Sequence, residues 1–263
     1  MDELDVALVQ AASSLDPAEN RAAMAAAVDG LDADLVVLPE AFARDFGSPG
    51  DDVSAFAEPV DGPFGQALGA LAGPQRTVVA GMFERSADPA RPWNTLLLRG
   101  AATANYRKIH LYDSFGYKES DRLVAGEWEP VVVDVGGFRV GLMTCYDLRF
   151  PELARDLVEA GAEVLLVPAA WVHGRTEAEH ATKVTHWRTL VRARAIENTA
   201  YVVAVGQPEP RYTGRSLVVD PMGEVVAEAG EGPQVLHATL RRDAINSARS
   251  ANPALANRRH RSR

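Results

Sequence analysis

Residues 138–161 read FRVGLMTCYDLRFPELARDLVEAG, and this stretch decides the fold class. An apolar, β-type run closes on Cys145. Pro151 then opens a helical pattern that reaches Glu159, with Gly161 just beyond its end, the usual asymmetry of helix start and stop. Next comes AEVLLVPAAW (162–171), a short apolar run of the length and composition of a buried strand. Strand, helix and buried strand in succession define an α/β protein. Upstream, EPVVVDVGGFRVGLMTC (129–145) predicts a hairpin turning at Gly136-Gly137.

The same alternation continues outward in both directions. LDVALVQ (4–10) predicts a strand, Pro17 to Leu31 a helix, and ADLVVLPE (33–40) a buried strand. RTVVAGMFE (76–84), WNTLLLRG (93–100) and TANYRKIHL (103–111) predict three more strands, and Ser114 to Gly126 a loop. Downstream, Thr182 to Asn198 has helical spacing. TAYVVAVGQ (199–207) and RSLVVDPMGEVVAEAG (215–230) predict three strands, the last two joined around Pro221-Met222-Gly223. The segment from Ala251 to Arg263 is rich in arginine and poor in apolar residues, so it predicts a surface-attached or partly disordered tail. With no repeat, linker or low-complexity block, residues 1–263 read as one domain.

Composition narrows the function classes. The 263 residues are 47% hydrophobic and 24% charged, with a formal net charge of −9. These are ordinary globular values. The acidic balance disfavours nucleic-acid partners, whose phosphates it repels. No apolar run approaches the roughly 20 residues that span a bilayer, and the acidic N-terminus lacks a signal-peptide pattern. One cysteine excludes an intramolecular disulfide and cysteine-rich zinc sites. A cytoplasmic protein in a reducing compartment is the expectation.

Four residues stand where α/β proteins gather their chemistry. Cys145 lies at a strand-to-helix turn, where outward N–H groups and the helix dipole favour a thiolate and supply an oxyanion donor. On position alone it reads equally as a nucleophile or as a buried structural thiol. Glu40 follows an apolar strand, at the carboxyl end where sites collect. Lys108, in NYRKIHLYD (105–113), shares a strand face with Tyr106 and His110, by period-2 alternation. Glu119 sits in the predicted loop. Taken singly, each of these three reads more simply as a solvated charge. His110, His173, His180 and His186 lack a metal-ligand spacing, so no metal is expected. Any of them remains a rival activator of the thiol, although no papain-type signature surrounds Cys145.

Together these stretches resemble the nitrilase superfamily of carbon–nitrogen hydrolases. LVVLPEAF carries Glu40, YRKIHLYD carries Lys108 and GLMTCYDLRFPELAR carries Cys145. VLLVPAAW and HWRTLVRARAIENTAYVVA with GRSLVVDPMGEVV follow in family order. The resemblance implies a four-layer α-β-β-α sandwich of two mixed sheets and a Glu40–Lys108–Cys145 triad, with Glu119 as a second glutamate beside the lysine. It implies a homodimer or higher homo-oligomer, paired through helices near the cysteine. It also implies hydrolysis of a small-molecule amide through a thioester, with no cofactor. Tyr146 would supply a backbone N–H and Trp171 would line the pocket, while Asp147, Arg149 and Glu152 match positions read as structural. The signature is nearest the amidase branch of deaminated glutathione amidase and ω-amidase. An N-carbamoyl hydrolase, a nitrilase and a non-catalytic binder are the alternatives. An ω-amide substrate needs a cation for its carboxylate, and Arg175, Lys183, Arg211 and Arg215 are the candidates. The chain departs from many amidase relatives in having only five residues between Asp113 and Glu119.

Overall fold

The computed structural model describes residues 2–259. Its strands are β1 (Glu3–Gln10), β2 (Leu35–Val37), β3 (Thr77–Glu84), β4 (Trp93–Arg99), β5 (Thr103–Arg107), β6 (Asp113–Ser114), β7 (Tyr117–Lys118), β8 (Val132–Val135), β9 (Phe138–Leu142), β10 (Val164–Ala169), β11 (Tyr201–Gly206), β12 (Leu217–Val219), β13 (Val225–Glu228) and β14 (Gln234–Arg241). The helices are α1 (Pro17–Val28), α2 (Pro63–Leu71), α3 (Pro151–Glu159), α4 (Glu177–Asn198) and α5 (Arg242–Ala251). The main strands form two six-stranded sheets, ordered β14-β1-β2-β3-β4-β5 and β13-β12-β11-β10-β9-β8. Each has a parallel centre, β1-β2-β3 in one and β9-β10-β11 in the other, with antiparallel edges.

The pleat explains the layering. Leu4, Val6 and Leu8 of β1, Leu35 and Val37 of β2, and Val79 of β3 face the second sheet in one large core. Their neighbours Ala7, Val9, Val36, Leu38, Val78 and Ala80 pack instead with Met24 and Val28 of α1 and Phe64 and Leu68 of α2. Central strands buried on both faces read as continuous apolar runs rather than alternating ones, which is why ADLVVLPE and AEVLLVPAAW were legible. On the far side of the second sheet, Leu153 and Leu157 of α3 and Trp187 and Val191 of α4 close the same core. The result is the expected α-β-β-α sandwich.

Several elements differ from the sequence reading. α2 was not expected: its PFGQALGAL holds two glycines and follows a turn-like EPVDG. β14 was missed because an edge strand, half exposed along its length, carries a weak signal. It nevertheless pairs with all eight residues of β1. α5 was missed because its apolar content is low; only Ile245 and Ala248 are buried. α4 begins at Glu177, not Thr182, because the Thr176 hydroxyl caps the Glu179 N–H at 3.2 Å. The strand expected to reach Leu111 ends at Arg107, and the expected loop from Ser114 contains the short β6–β7 hairpin. The tail is attached as far as Arg258: Leu255 packs on the core and Arg258 pairs with Glu159. Residues 260–263 lie outside the described residues.

One glycine sets the position of the first sheet's key loop. Beyond β2 the chain stays pinned to β3, with Leu38 N–H on the Val79 carbonyl at 2.8 Å, Gly81 N–H on Pro39 at 3.1 Å and Ala43 N–H on Gly81 at 3.0 Å. A Cβ on Gly81 would lie 2.5 Å from the Ala41 nitrogen and 2.8 Å from the Glu40 Cα. Backbone cannot yield as a side chain can, so Gly81→Ala must displace Glu40. Urea unfolding is expected to show a loss of roughly 1–3 kcal/mol for this overpacking, accompanied by a fall in kcat.

Candidate active site

The carboxyl ends of β2 and β5 in one sheet and of β9 and β10 in the other meet around one cavity. Glu40 follows β2, Lys108 follows β5, Cys145 follows β9 and Ala170-Trp171 follows β10. Glu119 arrives on a 3₁₀ turn (Glu119–Asp121) directly after β7. The four predicted polar residues are therefore brought together, with Lys108 bonded to Glu119, 11 residues away, and to Glu40, 68 residues away.

Lys108 is the centre of the cluster. Its Nζ donates to Glu40 Oε1 at 2.9 Å and to Glu119 Oε2 at 2.8 Å, and all three side chains are buried. Its backbone is held as tightly: the N–H bonds the Asn94 carbonyl at 2.8 Å and its carbonyl accepts from Gly126 N–H at 2.8 Å. Asn94 adds a fourth polar group, its Nδ2 donating to Glu40 Oε1 at 2.7 Å and to Glu119 Oε1 at 3.3 Å. Glu40 reaches the second sheet through Oε2, which accepts from Ala170 N–H at 2.7 Å, and its backbone carbonyl accepts from Gln207 Nε2 at 2.9 Å. Glu119 also accepts from Tyr112 N–H at 2.6 Å.

The charges set the protonation states. Burial alone would push the Lys108 ammonium down, but Glu119 and Glu40 outweigh it and hold its pKa well above the ordinary value. Burial pushes Glu119 up, with Lys108 opposing. Burial also raises the Cys145 thiol well above its usual range; the Glu40 charge and hydrogen bond add to this, and Lys108 opposes it. This corrects the expectation of a stabilised thiolate. The turn after Cys145 is a five-residue 3₁₀ segment (Cys145–Arg149), not the start of a long helix. Its small positive end is outweighed by desolvation and two nearby carboxylates. Cys145 itself has φ 47°, in the left-handed region. A non-glycine residue held there is strained, a feature of nucleophiles on sharp strand-to-helix turns.

Asp147 fixes that turn. Fully buried, it accepts from Thr144 N–H at 2.9 Å, Tyr106 hydroxyl at 2.6 Å and His110 N–H at 3.0 Å, and its Oδ1 lies 2.8 Å from His110 Nδ1. It thereby ties the segment carrying Lys108 to the segment carrying Cys145. His110 is committed to Asp147, so the histidine-activated thiol loses one of its candidates. The thiol's carboxylate neighbour is Glu40.

The cavity outside this cluster has a volume of about 800 Å³. Trp171 and Tyr146 line it. Trp171 also packs against Trp187, ring centres 5.3 Å apart, so it serves the core as well. Arg175, Lys183 and Arg211 line it, whereas Arg215 does not; Arg215 pairs with Glu231 at 2.8 Å. Arg149, read as structural, also lines the cavity, with its guanidinium 4.9 Å from the Trp171 ring centre. The sequence reading missed Asn94 and Tyr112. Asn94 had one available signal, a polar side chain inside the apolar run WNTLLL. Tyr112 has its phenol pushed up to about 12, chiefly by burial.

The carbon-nitrogen hydrolase family model matches residues 5–250, and the chain belongs to that family. A hydrolase of Mycobacterium tuberculosis is 42% identical over 277 residues, covering 96% of this chain and 94% of the relative. Deaminated glutathione amidase of Escherichia coli O157:H7 is 44% identical over 173 residues, 65% of this chain and 64% of that one. A crystal structure from Xanthomonas campestris, a CN-hydrolase superfamily protein with an arsenic adduct in its active site, superposes with a TM-score of 0.87 at 31% identity. That alignment covers 100% of both chains. The protein is thus a carbon–nitrogen hydrolase, an enzyme of the amidase-rich branch that its sequence resembles.

A neutral resting thiol has a measurable consequence. Alkylation of Cys145 by iodoacetamide, followed by mass spectrometry, is expected to be slow at pH 7 and to keep accelerating above about pH 8.5, the ordinary thiol value. A rate that levels off below pH 7 would indicate a preformed thiolate instead.

Proposed function

We propose that the protein is an ω-amidase-like enzyme in which Cys145 is the nucleophile, Glu40 the general base and acid, and Lys108 an oxyanion donor. The observation that carries this reading is the position of Glu40, whose carboxylate is fixed by Lys108 and by the Ala170 N–H and adjoins the thiol. A thiol with a raised pKa needs a base only at the moment of attack. A carboxylate held 2.9 Å from an ammonium has no free rotation to lose when it acts.

Glu40 accepts the thiol proton as the sulfur–carbon bond forms at the amide carbonyl. The resulting oxyanion is stabilised by the Lys108 ammonium and the Tyr146 backbone N–H. Collapse breaks the carbon–nitrogen bond, and protonated Glu40 delivers its proton to the leaving amine. The acyl group remains on Cys145 as a thioester. Water then attacks, giving its proton to Glu40; the carbon–sulfur bond breaks, the acid departs, and Glu40 returns the proton to the Cys145 sulfur. Glu119 keeps Lys108 charged and aimed throughout. The cycle uses no metal or organic cofactor.

An ω-amide of a small carboxylic acid is the substrate class we infer from the relatives named deaminated glutathione amidase and 2-oxoglutaramate amidase. The cavity, large for a simple amide, suits such a molecule. The enzyme would work in the cytoplasm, where its single thiol stays reduced. It would work as a homodimer paired through α3 and α4; Ile196 of α4 and the neighbouring Met222 are exposed apolar residues on that side. Among the described residues, no helix is long and apolar enough to cross a membrane.

An ammonia-release screen across ω-amides, N-carbamoyl compounds and nitriles tests the reading. Turnover is expected on the amides. Cys145→Ala should lose at least about a thousandfold in kcat while keeping its circular dichroism. Ammonia still released by that variant would overturn the nucleophile assignment. Lys108→Ala should lose about 10²–10³ in kcat, the usual worth of one oxyanion donor. Full activity there would remove Lys108 from the mechanism.

A further inference from the structure

The two buried glutamates differ in how many of their lone pairs are taken. A carboxylate offers about four acceptor positions, two on each oxygen. Glu119 fills all of its own. Oε1 accepts from Lys108 Nζ at 3.1 Å and from Asn94 Nδ2 at 3.3 Å, and Oε2 accepts from Lys108 Nζ at 2.8 Å and from Tyr112 N–H at 2.6 Å. Glu40 Oε1 is also full, accepting from Asn94 Nδ2 at 2.7 Å and from Lys108 Nζ at 2.9 Å. Glu40 Oε2 accepts the Ala170 N–H at 2.7 Å. That leaves it one open position, on the carboxylate that adjoins the Cys145 thiol.

Asn94 supplies the last donor to Oε1 of each glutamate. Among the described residues it is the one neutral side chain bonded to both. It is buried in β4, and its own Oδ1 has no partner. Turning the amide over would set that oxygen against two carboxylate oxygens. The orphaned Oδ1 therefore follows from aiming both amide hydrogens at the glutamates. The backbone leaves Asn94 little freedom, because β4 pairs it with Phe83 of β3 and its carbonyl accepts the Lys108 N–H at 2.8 Å. One residue thus fixes the start of the lysine and the inner oxygen of each carboxylate.

We propose that Asn94 is a positioning residue that keeps Glu40 and Glu119 from sharing a proton and so confines proton transfer to Glu40 Oε2. This rests on the reading of Glu40 as the base. Both Oε1 atoms accept from the same Nζ and the same Nδ2, so they are neighbours. Without the amide, each regains an open position beside the other. Two carboxylates sharing a buried site tend to hold one proton in common. A Glu40 that carries such a proton cannot accept another from the thiol. The titratable groups that act on Glu40 are Lys108 at the end of β5, Glu119 on its 3₁₀ turn, Cys145 after β9 and Tyr212 beyond β11. Lys108 stays charged, and the Cys145 thiol and Tyr212 phenol stay protonated, across the acid range, because all three are held well above their ordinary values. Glu119 is then the one partner with which Glu40 could share a proton.

The test is the pH profile of kcat/KM in Asn94→Leu, which removes both hydrogens at similar volume. Its acid limb is expected to move up by about one to two pH units, the effect of losing a hydrogen bond to a charged group. On that limb the rate falls about 10–100-fold. Asn94 lies outside the cavity lining, so kcat should fall far more than KM changes. Asn94→Asp keeps the shape but replaces the donor by an acceptor, and should move the limb at least as far. Asn94→Gln keeps the amide and should recover part of the shift. Circular dichroism and thermal melting accompany each variant, and Asn94→Asp decides the question if Asn94→Leu does not fold. An acid limb that stays in place in the folded variant, whatever the fall in kcat, would leave Asn94 a scaffold residue and overturn the proposal. Glu40→Gln, measured alongside, separates the two readings. If it is inactive while the limb has not moved, the role of Asn94 alone fails. If it still turns over amide, or if the wild type hydrolyses none, the reading of Glu40 fails and takes this proposal with it.

Discussion

An ammonium buried between two carboxylates is the constraint around which the molecule is organised. Taking Lys108, Glu40 and Glu119 out of water is costly, and their mutual attraction offsets that cost only in good geometry with the remaining polar atoms satisfied. The structure meets these conditions through Asn94, the Tyr112 N–H and the Ala170 N–H. Those partners come from β4, from the segment before β6 and from the end of β10. A cluster drawn from so many segments can exist only if both sheets present their carboxyl ends at the same edge. The inter-sheet core of Val6, Leu8, Leu35 and Val37 against Leu142, Leu166 and Val203 holds them there.

The chemistry follows from the charges at that edge. Two carboxylates and one ammonium leave a negative surplus beside Cys145, so the thiol rests protonated. In the proposed mechanism proton removal is coupled to bond formation, and the base is the carboxylate already locked in place. Asp147 holds the Cys145 turn against the Lys108 segment through Thr144, Tyr106 and His110. The outer cavity reverses the sign, with Arg149, Arg175 and Lys183 unpaired.

The parts legible in the sequence share a physical trait: they are local and strongly one-sided in composition. The central strands are apolar without interruption because both faces are covered, and Glu40 and Cys145 mark the ends of such runs. The elements that escaped have weak local signals rescued by tertiary contacts. α2 contains Gly65 and Gly69, and Gly65 is there because its Cβ position lies 2.0 Å from the Val60 carbonyl oxygen. β14 is an edge strand stabilised by its whole length of pairing with β1, which lies more than 200 residues away. α5 docks through Ile245 and Ala248 and through Arg249 on the carbonyls of Thr199 and Ala162.

The sequence by itself determined the alternating α/β pattern, the four chemically competent residues and, through motif order, the family. Each of those depends on residue type and on neighbours within a few positions. Only the tertiary structure decided which charges matter and how. Of four candidate cations it left Arg175 and Lys183 free in the cavity, tied Arg211 to Asp45 and sent Arg215 to Glu231. It moved Arg149 from scaffold to lining and reversed the expected protonation of Cys145. Those outcomes depend on burial and on distances between groups far apart in the chain. Electrostatic energy at a site is set by who is within a few ångströms and how much water is excluded, which no local pattern encodes.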